Sequence, residues 1–588
     1  MEVTKFNFYE LLPEIKEAID NCDFISIDCE LTGLYAVNNI NSFDTQKQYY
    51  EKLRRSSKQF IIIQYGLCMF RHDETSNTFF QQGYNFYIFP HSGNKHVPDH
   101  RFLCQSSCID FLSQCGFDFN KLFKEGIPYL NAAEEDKYKE KLNNMQTVRA
   151  NKMLNNFSPD IKNHRLSMTI EERAFIDGVF KEIEDFIVSD ETERILPKCS
   201  PYLRRLLYQE AQIKLANKAS LETKVLNKNE RILVVTRSKD LATLEKENNQ
   251  TVEGEEDEFK KCIGFSTIIR MIVESEKLVI GHNMCLDLFH TIDQFLTPLP
   301  QSYEEFKELA NFSFSKILDT KYMSSAIPFK GLITSNVLLH LLETLKKKPF
   351  EMPNIEIEEN RKGYTLQCDK EHEAGYDAYI TGVCFLTMWN FLFAVEEESH
   401  RSFPDMFLLT PYLNRLILTR LQDTPCIHLG GVDATPSRDN VLYLSFPKSW
   451  KLNDIMQLFS PFGNVYVSWI DDSSAFVNLH RKDQLPVALR TLSQSGVYKI
   501  MTYTEYERLR IGQHNSPSSL PFLSTQQKLT TDNSTPSLKK RETNFENLKN
   551  KFNKRSILDT DNTDLPTSLT DTVLNKKQKM FDECVTWD

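Results

Sequence analysis

Residues 24–34 read FISIDCELTGL. Phe24, Ile25, Ile27 and the leucines mark a strand bound for a hydrophobic core, yet Asp28 and Glu30 interrupt it two positions apart. Alternate residues of a strand share a face, so the two carboxylates point the same way. Ionised side by side, they repel each other unless a cation sits between them. Taken alone, the tripeptide also fits an edge strand with its polar face in water.

Two later segments shift that balance. LVIGHNMCLDLFHTI, residues 278–292, runs from a strand through a Gly-His-Asn turn into a helix and sets Asp287 among Met284, Leu286, Leu288 and Phe289. A carboxylate in such surroundings needs a partner or a metal. EHEAGYDAYITGVCFLTMW puts His372 five positions before Asp377, ahead of the most apolar helix of the chain. That spacing does not fit one helix stripe. It puts His372 in the loop before the helix and Asp377 on the first turn. Singly, His372 reads as a surface or helix-start residue and Asp377 as the polar side of a helix. Together, four carboxylates converging on a cleft suit two hard divalent cations, Mg²⁺ or alternatively Mn²⁺, and no Cys/His cluster argues for zinc. Two such ions about 3.5–4 Å apart stabilise the attacking and leaving oxygens of a phosphodiester. His372 is the candidate general base, since an unperturbed imidazole titrates at about 6.5.

The rest of the chain bounds this reading. With 588 residues and a formal charge of −11, it expects several domains and gives no bulk attraction for nucleic acid. A polyanion must be met by local basic surface or by metal. Thirteen cysteines without a C-x-x-C pair fit a reducing compartment. The opening MEVTKFNFYELLPEIKEAID lacks a signal-peptide pattern. The longest apolar run, residues 383–395, is short for a bilayer span and reads as a buried helix, so no membrane partner is expected.

Composition divides the chain into an α/β part over 1–164 and a small α/β insert over 165–240. An acidic stretch at 241–261 is expected to be a disordered loop. A second α/β part spans 262–425 and a compact α+β unit spans 438–510. A Ser/Thr/Asn/Gln-rich tail over 511–588 is expected to be disordered. TIEERAFIDGVFKEIEDFIVS opens the insert with a capping-box pattern, Thr169 followed by Glu172. KKR, KFNKR and NKKQK in the tail read either as nuclear-import clusters or as nonspecific basic spots.

The order Asp-x-Glu, Asp, His-x-x-x-x-Asp resembles the DEDD superfamily of 3′→5′ exonucleases, in the subgroup with a motif histidine. CQSSCIDFL, FDFNKLFKEGIPYLN, ILDTKYMSSAIPFK and FPKSWKLNDIMQLFSPFGNVYVSWIDDSSAFV extend the likeness to the poly(A)-specific ribonuclease family over residues 1 to about 510. The resemblance implies a ribonuclease-H-like mixed sheet, split by an inserted single-strand nucleic-acid-binding domain of the Arg-x-x-x-His type and followed by an RNA-recognition-motif-like unit. It implies removal of 3′ adenosines from polyadenylated RNA with release of 5′-AMP, and a homodimer; the basic clusters of the tail lead us to expect shuttling between nucleus and cytoplasm. It assigns Asp28, Glu30, Asp287 and Asp377 as metal ligands and His372 as base. Leu31, Leu34, Phe111 and Lys321 stand at substrate-contact positions; on residue type alone, Phe111 reads as core and Lys321 as solvated. In the insert, Arg204 is followed by Tyr208 where that motif has His, which weakens the case for direct RNA contact and leaves a packing or dimer-support role as the alternative. In the last unit, Asp472, Ser474 and Leu479 replace the usual signature residues, so the sheet face is expected to be a poor stacking platform. Trp469, beside Asp471 and Asp472, matches the family residue that stacks on the 7-methylguanosine cap; Trp450 reads as a packing residue. Two alternatives remain: an inactive RNA- and cap-binding regulator on a nuclease fold, and a trimmer of small-RNA 3′ ends.

Overall fold

A computed structural model describes residues 1–514 except 37–39, 92–94, 158–167, 216–217, 228–229, 238–240, 369, 396–402 and 425. They fall into two compact units, Met1–Thr435 and one that begins at Pro436. The first unit opens with strands β1 (Glu2–Val3), β2 (Phe24–Leu31), β3 (Ile62–Asp73) and β4 (Thr78–Tyr87). A small antiparallel set follows: β5 (Glu193–Ile195), β6 (Ala219–Asn227) and β7 (Glu230–Arg237). The chain then returns with β8 (Leu278–Gly281), β9 (Ile317–Asp319) and β10 (Ile355–Ile357).

The main sheet runs β1-β4-β3-β2-β8-β9, with β10 and β1 end to end along the outer edge of β4. β3 lies antiparallel to both β2 and β4, whereas β2–β8 and β8–β9 are parallel. This is the mixed sheet expected of a ribonuclease-H-like nuclease. Its central strands are apolar on both faces because both faces are covered. Phe24 stacks on Phe70 at 4.8 Å and meets Phe385 edge-on at 5.0 Å. Each such fully buried ring contributes roughly 1.5–3 kcal/mol.

Phe385 belongs to the helix Ala374–Val395, which lies across β2 and β3. By length and composition the segment Ala374–Ala394 could cross a bilayer, but it forms the centre of this core. Three polar side chains of the sheet fix where it starts. Gln64 accepts from the Ala374 N–H at 2.9 Å, and Asn85 from the Gly375 N–H at 3.1 Å. Both satisfy first-turn amides that a helix leaves without partners. Ser26 donates to the Ala378 carbonyl at 2.7 Å. Gly66, opposite Asp28 in the β2–β3 register, lets the helix end settle on the sheet. A Cβ there would collide with the Ala374 carbonyl.

The insert has its own core, in which Ile183, Phe186, Leu206, Leu207 and Val235 are fully buried. Its first helix, Ile170–Val188, carries the expected capping box, with Thr169 accepting from the Glu172 N–H at 3.3 Å. The acidic stretch corrects the sequence expectation: it is part of a helix, Leu241–Ile263, rather than a disordered loop. Its glutamates, lysines and leucines are good helix formers with no proline among them. Its few apolar residues are enough to pair it with the helix Ala132–Phe157. Phe259 packs with Leu130, Tyr138 and Leu142, and Arg149 meets Glu255 at 2.5 Å.

A short hairpin, β11 (Arg415–Ile417) with β12 (Cys426–His428), precedes the second unit. That unit holds β13 (Val441–Ser445), β14 (Val465–Asp471), β15 (Ser474–Leu479) and β16 (Lys499–Thr502), in the order β14-β15-β13-β16. Helices Leu452–Phe459 and Leu485–Leu492 pack on the face formed by Leu442, Leu444, Val477 and Leu479. A last helix, Tyr503–His514, follows β16 directly and runs past the expected tail boundary at 511. Residues 515–588, with the three basic clusters, lie outside the described residues.

Candidate active site

The cleft of the first unit forms where β2, the turn after β8, and the loop before the Ala374–Val395 helix meet. Asp28, Glu30, Leu31, Leu34, Phe111, His282, Lys321, His372 and Asp377 all line it. Asp28 and Glu30 come off the same face of β2. The β2–β3 register shifts between Glu30 and Leu31, an irregularity of the kind that re-aims a side chain, and Leu31 joins the same cleft. Asp377 stands on the first turn of its helix, and His372 in the loop before it with φ of 65°.

Asp28, Glu30 and Asp377 offer oxygens that all lie within 4.8 Å of one another. Desolvation, then the Asp28 and Asp377 charges, push the Glu30 carboxyl well above the usual carboxylate range. Desolvation, then Asp28, does the same to Asp377, against the pull of a hydrogen bond from the His372 backbone. The cluster by itself therefore favours bound protons, the signature of buried like charges held together.

Asp287 is not gathered with these three. It is 1% exposed on the helix Cys285–Thr291, and its carboxyl is hydrogen-bonded with the Cys29 thiol. Cys29 alternates with Asp28 and Glu30 along β2, so Asp287 lies against the residue between the paired carboxylates.

Leu31, Leu34, Phe111 and Lys321 line the same cleft. The Phe111 ring meets the His372 ring edge-on at 4.7 Å, so it walls the cleft as well as packing on the core. Lys321 is 6% exposed, which overturns its reading as a solvated lysine. It sits on the first turn of the helix Thr320–Ser325. That turn is held by Asp319, which accepts from the Lys321 N–H at 3.0 Å and the Asn283 N–H at 2.8 Å. Burial pushes the Asp319 carboxyl up to about 6, against those donors.

His282 is the cleft residue that sequence reading missed. Thr320 Oγ1 donates to the Gly281 carbonyl at 2.9 Å and stands 3.0 Å from His282 Nδ1. Burial, then the Lys321 charge, hold this imidazole neutral. Its position in the Gly-His-Asn turn, at the carboxyl end of a parallel strand, is the signal that could have flagged it. Outside the cleft, Arg204 of the insert donates weakly to the Arg231 carbonyl at 3.5 Å, and Tyr208 bonds Thr223 at 3.0 Å. Both contacts lie within the insert.

The pattern shared by CAF1 family ribonucleases runs through residues 3–385, the whole of the sheet and cleft. The chain belongs to that family. An RNA-binding domain pattern matches residues 431–509. The poly(A)-specific ribonuclease PARN of Xenopus laevis is 41% identical over 516 residues, which cover 86% of this chain and 81% of that protein. The protein of the same name from Homo sapiens is 40% identical over 517 residues, covering 86% and 80%. The pre-piRNA 3′-exonuclease trimmer of Bombyx mori is 27% identical over 529 residues, covering 87% and 95%. A solved structure of S. pombe Pop2p with Mg²⁺ and Mn²⁺ bound aligns at 14% identity and a TM-score of 0.32, over 68% of this chain and 95% of its own. The chain is thus a ribonuclease, with the carboxylate cluster at the centre of its cleft.

Proposed function

We propose that this ribonuclease is a deadenylase, a 3′→5′ exonuclease that shortens poly(A) tails and releases 5′-AMP. The carrying observation is the close triad of Asp28, Glu30 and Asp377 on the cleft wall. The donor set is all oxygen and already strained by its own charge, which fits hard divalent cations, Mg²⁺ or Mn²⁺. Asp28, Glu30 and Asp377 would hold two such ions, with Asp287, which stands against Cys29 beside them, as the further ligand that the family likeness assigns. When bound, the ions supply Lewis-acid stabilisation of the charge that develops on the phosphodiester.

The chain's own residues do the rest. His372, neutral because burial draws its pKa below 6.5, takes a proton from the attacking water. Phe111 packs against its ring and limits its swing. Leu31 and Leu34, with Phe111, give the terminal bases an apolar wall. Lys321 meets a backbone phosphate. Preference for adenosine is supported by the 40–41% identical relatives and their printed names. The trimmer reading has only a 27% identical relative behind it. Against the inactive-regulator reading, all five motif positions keep their side chains.

The test is a 5′-labelled RNA ending in adenosines, compared with uridine and cytidine ends, in Mg²⁺. Progressive 3′ shortening, fastest on adenosine and with 5′-AMP as product, is expected. Equal rates on all three ends would overturn the adenosine assignment, and shortening in excess EDTA the metal assignment.

The second unit adds cap binding through Trp469. This indole is 40% exposed and held edge-on by Phe446 at 5.3 Å. It lies on β14 where the register with β15 shifts next to Asp471. An indole face beside carboxylates suits a cationic 7-methylguanine ring. Trp450 stacks on Phe446 and Tyr498 packs against it, which supports the packing role. Trp469→Ala is expected to weaken binding of a cap analogue by about tenfold or more, while uncapped RNA is shortened at the wild-type rate; intrinsic fluorescence titration reads the first quantity. By the same family likeness the enzyme is a homodimer, which sedimentation would check. We infer shuttling between nucleus and cytoplasm from the basic clusters of its tail.

A further inference from the structure

His372 stands at a corner that a side chain does not take easily. Its φ of 65° is left-handed, a conformation that few residues other than glycine adopt and that endures only where surrounding contacts dictate it. The turn from Lys370 to Glu373 supplies such contacts. The Glu373 N–H donates to the Lys370 carbonyl at 3.0 Å, and the Lys370 ammonium pairs with Glu373 Oε2 at 2.8 Å. Backbone and side chains thus close the same turn around His372. The other carboxylate oxygen, Glu373 Oε1, accepts from the Tyr364 hydroxyl at 2.6 Å.

Tyr364 is a fixed post for this turn. It is 4% exposed, with its ring packed against Tyr376 at 5.9 Å and Tyr379 at 6.3 Å on the Ala374–Val395 helix. Its carbonyl accepts from Gln81 Nε2 of β4 at 2.7 Å, inside the core. Gly375 makes the close approach possible, since a Cβ there would collide with the Tyr364 hydroxyl. That hydroxyl therefore links a buried strand of the sheet to the residue next to His372. Phe111 touches the imidazole from the cleft side, whereas Tyr364 acts on the backbone behind it.

We propose that Tyr364 is a positioning residue for the general base: through Glu373, its hydroxyl holds His372 in the left-handed conformation that presents the imidazole to the cleft. Tyr364 is not among the residues that line the cleft, so its effect on the reaction passes through His372. A reacting group displaced by about 1 Å loses on the order of 100-fold in rate, so a contact that fixes one backbone corner is enough to govern kcat.

The inference rests on His372 as the base, which His372→Asn tests by itself. Tyr364→Phe removes the hydroxyl and keeps the buried ring. With the full chain, 5′-labelled oligoadenylate and saturating Mg²⁺, its kcat is expected to fall about 10- to 100-fold. KM and the Mg²⁺ concentration giving half the maximal rate should stay at wild-type values. Placed in the His372→Asn background, Tyr364→Phe should cost nothing further, because the two residues act as one unit. A tyrosine that only supports the fold would lower kcat in both backgrounds. Wild-type kcat in Tyr364→Phe, or a fall of the same size in the His372→Asn background, would overturn the proposal. Glu373→Ala leaves the tyrosine in place and must show the same fall and the same masking, so the idea stays open to refutation should Tyr364→Phe fold poorly. If His372→Asn alone keeps the wild-type kcat, the base assignment fails and this proposal with it, and the single variant shows which step was wrong.

Discussion

Glu30→Gln is expected to cut ribonuclease activity by ~10³-fold or more, and at the same time to raise the melting temperature of the metal-free protein. The first effect follows from losing a ligand to ions that supply several kcal/mol of transition-state stabilisation, at about 1.36 kcal/mol per decade of rate. The second follows from the raised pKa of Glu30. A carboxyl whose folded pKa lies above its unfolded value of about 4.3 contributes stability only while protonated, and that contribution is lost as pH rises through the folded pKa. At neutral pH the metal-free fold therefore carries the repulsion of Glu30 with Asp28 and Asp377, and glutamine removes it. Calorimetry in EDTA should show a gain of a few degrees, on a scale of ~2–4 °C for each kcal/mol relieved. The gain should vanish near pH 4. Mg²⁺ should raise the midpoint of the wild type but not of the variant. A variant that melts below wild type in EDTA at neutral pH would show that the cluster is not under electrostatic strain.

His372→Asn is expected to lower kcat by roughly 10²–10⁴-fold, the range for loss of a general base. Asparagine is the substitution of choice because it tolerates the left-handed backbone that His372 adopts. The pH profile separates its role from a structural one. Burial draws the imidazole pKa down from 6.5, with Glu371 opposing. The neutral base therefore persists below pH 6.5, and at saturating Mg²⁺ the acid limb of kcat should fall below that value. The Asn variant should lack that limb. Protonation of the carboxylates gives a second acid limb, which moves with Mg²⁺ concentration and so is told apart. An unchanged limb in the variant would remove His372 from the chemistry.

The nuclease fold and most of its cleft were legible in the sequence for identifiable reasons. β2 could be read because carboxylates on one face of an otherwise apolar strand have few physical explanations. The starting point of the Ala374–Val395 helix followed from the five-residue spacing of His372 and Asp377. The 241–261 segment was misread because composition weighs charge and misses pairing: Phe259 and the Arg149–Glu255 contact hold it as a helix against a partner about a hundred positions away. Lys321 was read as solvated because residue type says nothing of the turn that Asp319 builds around it. The contact of Asp287 with Cys29 was invisible for a different reason, since it joins a strand and a helix more than two hundred positions apart.

The pairing of β2 with β8 has a consequence for how this molecule is made. Phe24 and Ser26 find Leu278 and Ile280 only after the whole insert has been threaded between them. At a ribosomal pace of roughly 5–20 residues per second, tens of seconds elapse between their syntheses. During that wait the growing polypeptide displays one naked margin of its most oily ribbon, a template for sticking to a neighbour on the same message. The insert, having a nucleus of its own, can collapse early and draw the two distant ends together, so its service to the nascent enzyme begins before any tail is bound.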